Sequence, residues 1–170
     1  MTTDRRNFLK AFSVSLAGAP FLLGQVRPSL GPYQVLTDLE AETIIALCEQ
    51  LIPEDEFGGA TDAGVVYFFD KQLGPRGHYP DQLDYYRAEL SVLNTSCEEQ
   101  LGLRFAALKQ VDQLSYLKTL EGGEVAHASW TSAMQRRFFR TLLDHTMQAY
   151  YGDPRHGGNK DYLSHFMMKI

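Results

Sequence analysis

Five histidines are the side chains of this sequence best suited to bind a metal ion or to move a proton near neutral pH. They are His78, His127, His145, His156 and His165. No two of them have the HxxxH or HExxH spacing that places two ligands on one helix face. His145 falls on the predicted inward face of a helix, where a structural histidine is more frequent than a ligand. A metal centre or small active site using His145, His156 and nearby carboxylates is the alternative that the sequence leaves open.

The two cysteines, Cys48 and Cys97, each fall on an apolar helix face, so both are expected to be buried thiols. The sequence has no CxxC, CxxCH or Cys/His zinc spacing. It therefore predicts neither a c-type haem nor a cysteine-ligated iron–sulfur cluster in this chain. A disulfide between the two cysteines stays open, because it depends on whether their helices pack together.

Other chemical motifs are also missing from the sequence. GxSxG, GxGxxG and Walker sequences are absent. Glu54, Asp55 and Glu56 form an acidic cluster, but they lack the alternating spacing of a calcium loop and are interpreted as a solvated turn. We therefore predict no catalytic, cofactor-binding or metal-binding residue in this chain.

The densest pattern is a glycine-rich segment near the C-terminus. It reads Tyr151-Gly152-Asp153-Pro154-Arg155-His156-Gly157-Gly158-Asn159-Lys160-Asp161. The glycines permit positive φ, the Asp-Pro pair favours a turn, and the asparagine tolerates left-handed geometry. A predicted helix rather than a strand precedes the segment, which argues against a phosphate-binding loop. It is either a structural turn or a contact surface.

The elements that position these residues are predicted to be helices. Apolar residues recur at spacings of three and four, and no stretch alternates as a strand does. The prediction is an all-α domain of about five helices. They span about Thr37 (capping box with Glu40) to Leu51, Thr61 or Asp62 to Leu73, Pro80 to Leu101, Gln110 to Leu120, and Ser129 to Tyr150.

The same periodicity predicts which side chains face the core. On the third helix the predicted inward residues are Tyr79, Leu83, Tyr86, Leu90, Leu93, Cys97 and Leu101. The predicted inward residues of the last two helices are Val111, Leu114, Leu117 and Leu120, then Trp130, Met134, Phe138, Leu142, His145 and Ala149.

Residues 1–30 have the pattern of an export signal. The twin-arginine motif is formed by Arg5, Arg6, Phe8, Leu9 and Lys10. An uncharged run, residues 11–23, follows it and is too short for an untilted membrane span. We predict a signal segment over residues 1–30 and one helical domain over residues 31–170, exported to the periplasm. Cleavage of the signal, or its retention as an anchor, stays open.

Charge is divided along the chain. The net charge of −5 argues against general nucleic-acid binding. Residues 1–30 carry 4 − 1 = +3, and the remaining residues carry 12 − 20 = −8. Residues 38–62 hold eight acidic and no basic side chains, whereas residues 136–170 hold six basic and three acidic ones. Such polarity can orient docking, although a solvated surface explains it equally well.

Several segments together resemble the gluconate 2-dehydrogenase subunit 3 family. They are the run 151–161 after His145-Thr146, Leu51-Ile52-Pro53, residues 59–65 with Phe69-Asp70 and Leu73, residues 105–108, and the twin-arginine leader. Family members often have a Gly-Trp pair soon after the C-terminal motif, whereas this chain has residues 164–170 without it. That departure leaves open how the tail docks.

The resemblance implies a small, cofactor-free subunit of a periplasmic sugar or sugar-acid dehydrogenase. The large partner would be a flavoprotein that carries FAD, and a multihaem cytochrome c subunit commonly accepts the electrons. The small subunit is expected to escort the flavoprotein through the twin-arginine translocase and to stabilise it. The residues predicted to contact the partner are Arg136, Arg137, Arg140, Gly152, Asp153, Arg155, Gly157, Gly158 and Asn159.

Overall fold

A computed structural model describes residues 33–168, and every regular element in that part of the chain is helical. The predicted all-α class is therefore confirmed, with a sixth helix that periodicity did not predict. The six are α1 (Asp38–Leu51), α2 (Val65–Gln72), α3 (Leu83–Leu101), α4 (Gln110–Gly122), α5 (Ser132–Tyr151) and α6 (Leu163–Met168). Short 3₁₀ turns span Pro80–Gln82, Phe105–Ala107, Pro154–His156 and Lys160–Tyr162. The predicted signal motif, Arg5 to Lys10, lies outside the described residues.

The start of α1 confirms the predicted capping box. The Thr37 hydroxyl accepts the Glu40 N–H at 3.3 Å, and the Glu40 carboxylate accepts the Thr37 N–H at 2.8 Å. These reciprocal bonds satisfy two backbone donors that the first helical turn leaves without partners.

The predicted starts of the second and fifth helices are wrong. The structure begins α2 at Val65, after Gly64 at φ +65°, because Thr61 and Asp62 are used elsewhere. Thr61 donates to the Glu49 carboxylate, and the Asp62 carboxylate accepts the Gly59 N–H at 2.9 Å. At α5, Thr131 rather than Ser129 supplies the cap.

The core lies around α1, which contacts α2, α3, α4 and α5. Its inward residues Ile44 and Leu47 are fully buried, as are Phe69 of α2 and Phe138 of α5. The aromatic rings of this core meet edge to face; Phe69 and Tyr86, for example, lie 5.5 Å apart at 77°. Burial of these apolar side chains joins four helices around one central helix.

The predicted inward faces of α4 and of the first turn of α5 are partly wrong. Val111 is 68% exposed and Leu114 is 40% exposed, while Gln113 is buried between them in sequence. On α5, Met134 is 40% exposed and Gln135 is buried.

Buried backbone groups explain both exchanges. The Gln113 amide donates to the Phe105 carbonyl at 3.0 Å. Gln135 accepts the Val125 N–H at 2.9 Å and donates to the Val125 and Trp130 carbonyls. These loop groups would otherwise be buried without partners, so each helix turns a glutamine inward and an apolar side chain outward.

The third helix also ends differently from the periodic pattern. Leu101, predicted to face inward, is 47% exposed, while Tyr86, Leu90, Leu93 and Cys97 are buried as predicted.

Within residues 33–168, no helix combines the length and apolar character needed to cross a membrane.

Candidate functional site

The glycine-rich segment after α5 is fastened by one asparagine. Asn159 is fully buried, and its Nδ2 donates to the Gly152 carbonyl at 2.8 Å while its Oδ1 accepts the Ser164 N–H at 2.9 Å. The next residue, Lys160, donates its backbone N–H to the Ala63 carbonyl at 3.0 Å. One side chain therefore joins the end of α5 to the start of α6.

Two glycines let this segment approach the helices behind it. Gly157 has φ +114°, and a Cβ added there would lie 2.7 Å from the Tyr67 carbonyl oxygen of α2. A Cβ added at Gly158 would lie 2.2 Å from the Ala149 carbonyl oxygen of α5. No side chain fits at either distance, so both glycines are required by backbone packing.

The structure thus separates the residues that were predicted together as a contact surface. Gly158 and Asn159 are buried, whereas Asp153 and Arg155 are exposed. The Arg155 guanidinium pairs with the Asp153 carboxylate at 3.1 Å, and that carboxylate also accepts the Arg155 N–H at 2.9 Å. Two of the predicted contact residues in this segment therefore lie at the surface as a local ion pair.

Side chains of α2 hold the same segment from the other side. Gln72 donates from Nε2 to the His156 carbonyl at 2.8 Å, and Lys71 donates from Nζ to the Arg155 carbonyl. The Gln72 Oε1 lies 2.7 Å from His78 Nδ1. Because that oxygen can only accept, His78 Nδ1 is the donor of this hydrogen bond.

A cleft of about 340 Å³ opens beside this segment. It is lined by Phe68, Gln72, His78, Tyr79, Gln148, Gly152, Asp153 and His156. The His78 and His156 rings meet edge to face with centroids 5.5 Å apart, and Tyr79 donates its hydroxyl proton to Gln148 at 2.7 Å. The cleft brings His156 together with His78, a pairing that the sequence did not predict.

His145 lies beneath this cleft. The Tyr79 ring stacks on it at 4.4 Å, and its Nδ1 is 2.8 Å from the Tyr86 hydroxyl. Burial lowers the pKa of His145 from its ordinary value, against the opposing charge of Asp144, so the ring is neutral at pH 7. Burial likewise raises the pKa of Tyr86, which keeps its proton.

The described part of the chain does not contain the ligand set that a metal centre would need. Residues 33–168 contain no group of three or more histidine, cysteine, aspartate or glutamate side chains placed to hold a metal ion. His145 is instead a buried partner of two tyrosines, consistent with a structural role.

The other predicted contact residues lie on the outer face of α5. Arg136, Arg137 and Arg140 are exposed and border a shallow depression of about 350 Å³ with Ala133, Thr141 and Asp144. Gly152, the residue after α5, follows Arg140 by 152 − 140 = 12 positions, about 18 Å at the helical rise. The arginine face and the glycine-rich segment are therefore two separate parts of the surface.

Both cysteines are buried free thiols, and no disulfide joins them. The Cys48 sulfur lies 3.2 Å from the Thr146 hydroxyl, and burial raises the pKa of this thiol to about 12. Burial also raises the pKa of Cys97 to about 12. Neither is a reactive thiolate near neutral pH.

Sequence reasoning missed two buried carboxylates that hold loops. Asp70 accepts the backbone N–H groups of Gln34, Val35 and Leu36 at 2.8, 2.9 and 3.1 Å. Glu49 accepts the N–H groups of Glu54 and Thr61, each at 3.1 Å. Their position in the sequence could have predicted this role, because each is an acidic residue within an apolar helix face. A buried carboxylate in such a place needs hydrogen-bond donors.

Comparison with known proteins agrees with the resemblance. No match was found among curated proteins, and none was found among solved structures. The family model described as gluconate 2-dehydrogenase subunit 3 matches residues 38–169, which include all six helices. On this match over most of its length, the chain belongs to the gluconate 2-dehydrogenase subunit 3 family.

Proposed function

We propose that this chain is the non-catalytic small subunit of a periplasmic dehydrogenase complex that oxidises a sugar or sugar acid. The large subunit would be a flavoprotein carrying FAD, with a cytochrome c subunit as its electron acceptor. The observation that carries the proposal is the family match over residues 38–169, because the family is described as a subunit of a dehydrogenase.

Export is the second part of the proposal. The twin-arginine motif at Arg5 and Arg6 would direct this chain to the twin-arginine translocase, which accepts folded proteins. A flavoprotein that folds around FAD and docks on this chain would then cross the membrane with it. The small subunit would afterwards stay bound and stabilise the flavoprotein.

The arrangement of polar side chains supports a structural role for the helical domain. Gln72, Asn159, Asp70 and Glu49 are engaged with backbone groups of this same chain. Polar groups used in this way hold loops in place, as expected of a rigid docking module.

Co-purification tests the proposal. The tagged chain is expressed in its own organism, together with the flavoproteins of that organism, and is recovered from periplasm. The expected result is a complex with a flavin absorption band. Periplasmic chain without any flavin-containing polypeptide would overturn the proposal.

The export step has its own control. Arg5→Lys with Arg6→Lys is expected to leave both polypeptides in the cytoplasm, whereas Arg27→Lys, in the same leader, is expected to leave export unchanged.

Metal analysis and an absorption spectrum of the purified chain alone test the alternative function. Stoichiometric metal or flavin in that sample would favour the alternative of a free-standing metal protein or enzyme.

A further inference from the structure

Three arginines on α5 lack the carboxylate partners that several other arginines have within residues 33–168. Arg87, Arg104 and Arg155 each lie within 4.0 Å of a carboxylate. By contrast, no ion pair forms at Arg136, Arg137 or Arg140 within residues 33–168. All three are exposed on one helix. They concentrate positive charge on a domain whose sequence is acidic overall.

Two of these guanidinium groups are already held in place. Arg136 donates from Nη1 to the Gly122 carbonyl at 2.9 Å, and the Arg137 guanidinium lies 5.1 Å from the centre of the Tyr85 ring. Both contacts leave several N–H donors of each group free. Groups held in this way lose less conformational entropy when a ligand binds.

Two carboxylates lie near this face and offset only part of its charge; one of them, Glu89, interacts electrostatically with Arg137. Glu89 is buried behind it and accepts the Trp130 indole N–H at 2.6 Å. Asp144 is the acidic residue that borders the depression, one carboxylate beside three guanidinium groups. The face therefore retains a positive surplus.

The charge and spacing of this face indicate its ligand. Side chains at i and i+4 lie about 6 Å apart on a helix, so Arg136 and Arg140 can bind neighbouring carboxylates of one segment. Guanidinium groups bind carboxylates through two parallel hydrogen bonds. Because the family is described as a dehydrogenase subunit, another subunit is the source of such a segment.

We propose that Arg136, Arg137 and Arg140 form a docking surface for an acidic segment of another subunit of the dehydrogenase complex. This inference rests on the proposed function and adds to it the surface used and the chemistry of the partner segment.

Charge reversal on α5 tests this surface. Arg140→Glu, alone and with Arg136→Glu, is compared with Lys109→Glu plus Lys118→Glu, exposed residues at the start and middle of α4. Capture of the co-expressed flavoprotein is measured as a function of NaCl concentration. We expect capture by the α5 variants to weaken at least about tenfold, and wild-type capture to weaken with salt. The α4 variant should match the wild type.

Arg140→Glu separates loss of docking from loss of folding. Within residues 33–168, Arg140 makes no hydrogen bond or ion pair that the replacement would remove. Thermal unfolding of each variant checks that the domain is intact. Unchanged capture by the α5 variants would overturn this docking surface while leaving the proposed function standing. A wild-type chain that captures nothing would overturn both.

Two other occupants of the surface are distinguished by the same variants. Vesicles of phosphatidylglycerol test an anionic membrane, and sedimentation tests a second copy of this chain. If charge reversal abolishes vesicle binding or self-association but leaves capture unchanged, the proposed subunit contact is wrong.

Discussion

Asn159 and the two glycines before it have a structural role. Their residue types alone do not distinguish this role from ligand binding. Glycine-rich turns both bind ligands and bring backbones together, and the deciding fact is where their Cα atoms lie. Here Gly157 and Gly158 lie against carbonyl oxygens of α2 and α5, and the Asn159 amide is used at both ends. Of the predicted contact residues in this segment, Asp153 and Arg155 are the exposed ones.

His145 shows how burial sets chemistry at a single residue. Its ring lies between Tyr79 and Tyr86, and its lowered pKa follows from desolvation. Between that pKa and the ordinary value of 6.5, the unfolded chain binds more protons than the folded chain. His145 therefore makes stability fall as pH decreases below 6.5.

We predict that His145→Gln removes this part of the acid sensitivity. The free energy of unfolding in urea, measured at pH 7.5 and 5.5, should fall less in the variant, by at most about 1.4 kcal/mol for each pH unit. Glu89, whose pKa burial raises, acts in the opposite direction, but it is present in both proteins and cancels in the comparison. His127→Gln is the control; an equal change in both variants would contradict the prediction.

At the scale of elements, the segment after α5 determines where α6 lies. Non-glycine residues with left-handed backbone lead into that helix: Asn159, Asp161 and Tyr162, at φ +47°, +55° and +57°. Such conformations cost of order 1–3 kcal/mol each and persist only where surrounding contacts enforce them. The Asn159 bonds and the contact between Lys160 and Ala63 supply that enforcement.

Substitution of Gly158 tests this element. Gly158→Ala places a Cβ on the Ala149 carbonyl, so we expect a loss of at least about 2 kcal/mol of unfolding free energy, measured in urea. Gly102→Ala is the matched control, since Gly102 has φ +76° but no neighbouring atom within 4 Å of the added Cβ. It should cost less than Gly158→Ala, about 1–2 kcal/mol of left-handed backbone strain. Equal losses would mean that close packing at Gly158 is unimportant.

At the scale of the whole molecule, one carboxylate ties the chain after the predicted leader to the helical domain. Asp70, buried on α2, accepts three successive backbone N–H groups at residues 34–36. Residues 34–36 are therefore held at a fixed point of the helical domain.

We predict that Asp70→Asn loosens this attachment. An asparagine offers one acceptor oxygen and turns an NH₂ group toward backbone donors, so about 1–3 kcal/mol of unfolding free energy should be lost. Limited proteolysis should also cut faster near residues 33–36 than in the wild type. Asp153→Asn, at an exposed carboxylate, serves as control. Unchanged proteolysis and stability in Asp70→Asn would show that the attachment does not depend on the carboxylate charge.

Local interactions made much of this protein predictable from its sequence. The Thr37 capping box and the spacing of apolar residues act within a few residues, and they predicted the all-α fold and most helix ends. The leader motif and the C-terminal motif are each a continuous run of residues. The sequence therefore also indicated the family, which the comparison then confirmed.

Only the tertiary structure decided which groups face one another. Gln113 and Gln135 point inward, in place of Leu114 and Met134, because buried backbone groups of the loops before their helices need hydrogen-bond partners. The same need explains Asp70 and Asn159, whose partners no periodicity identifies. Because a helical pattern records apolar spacing but not the positions of buried backbone donors and acceptors, these placements follow only from the packed chain.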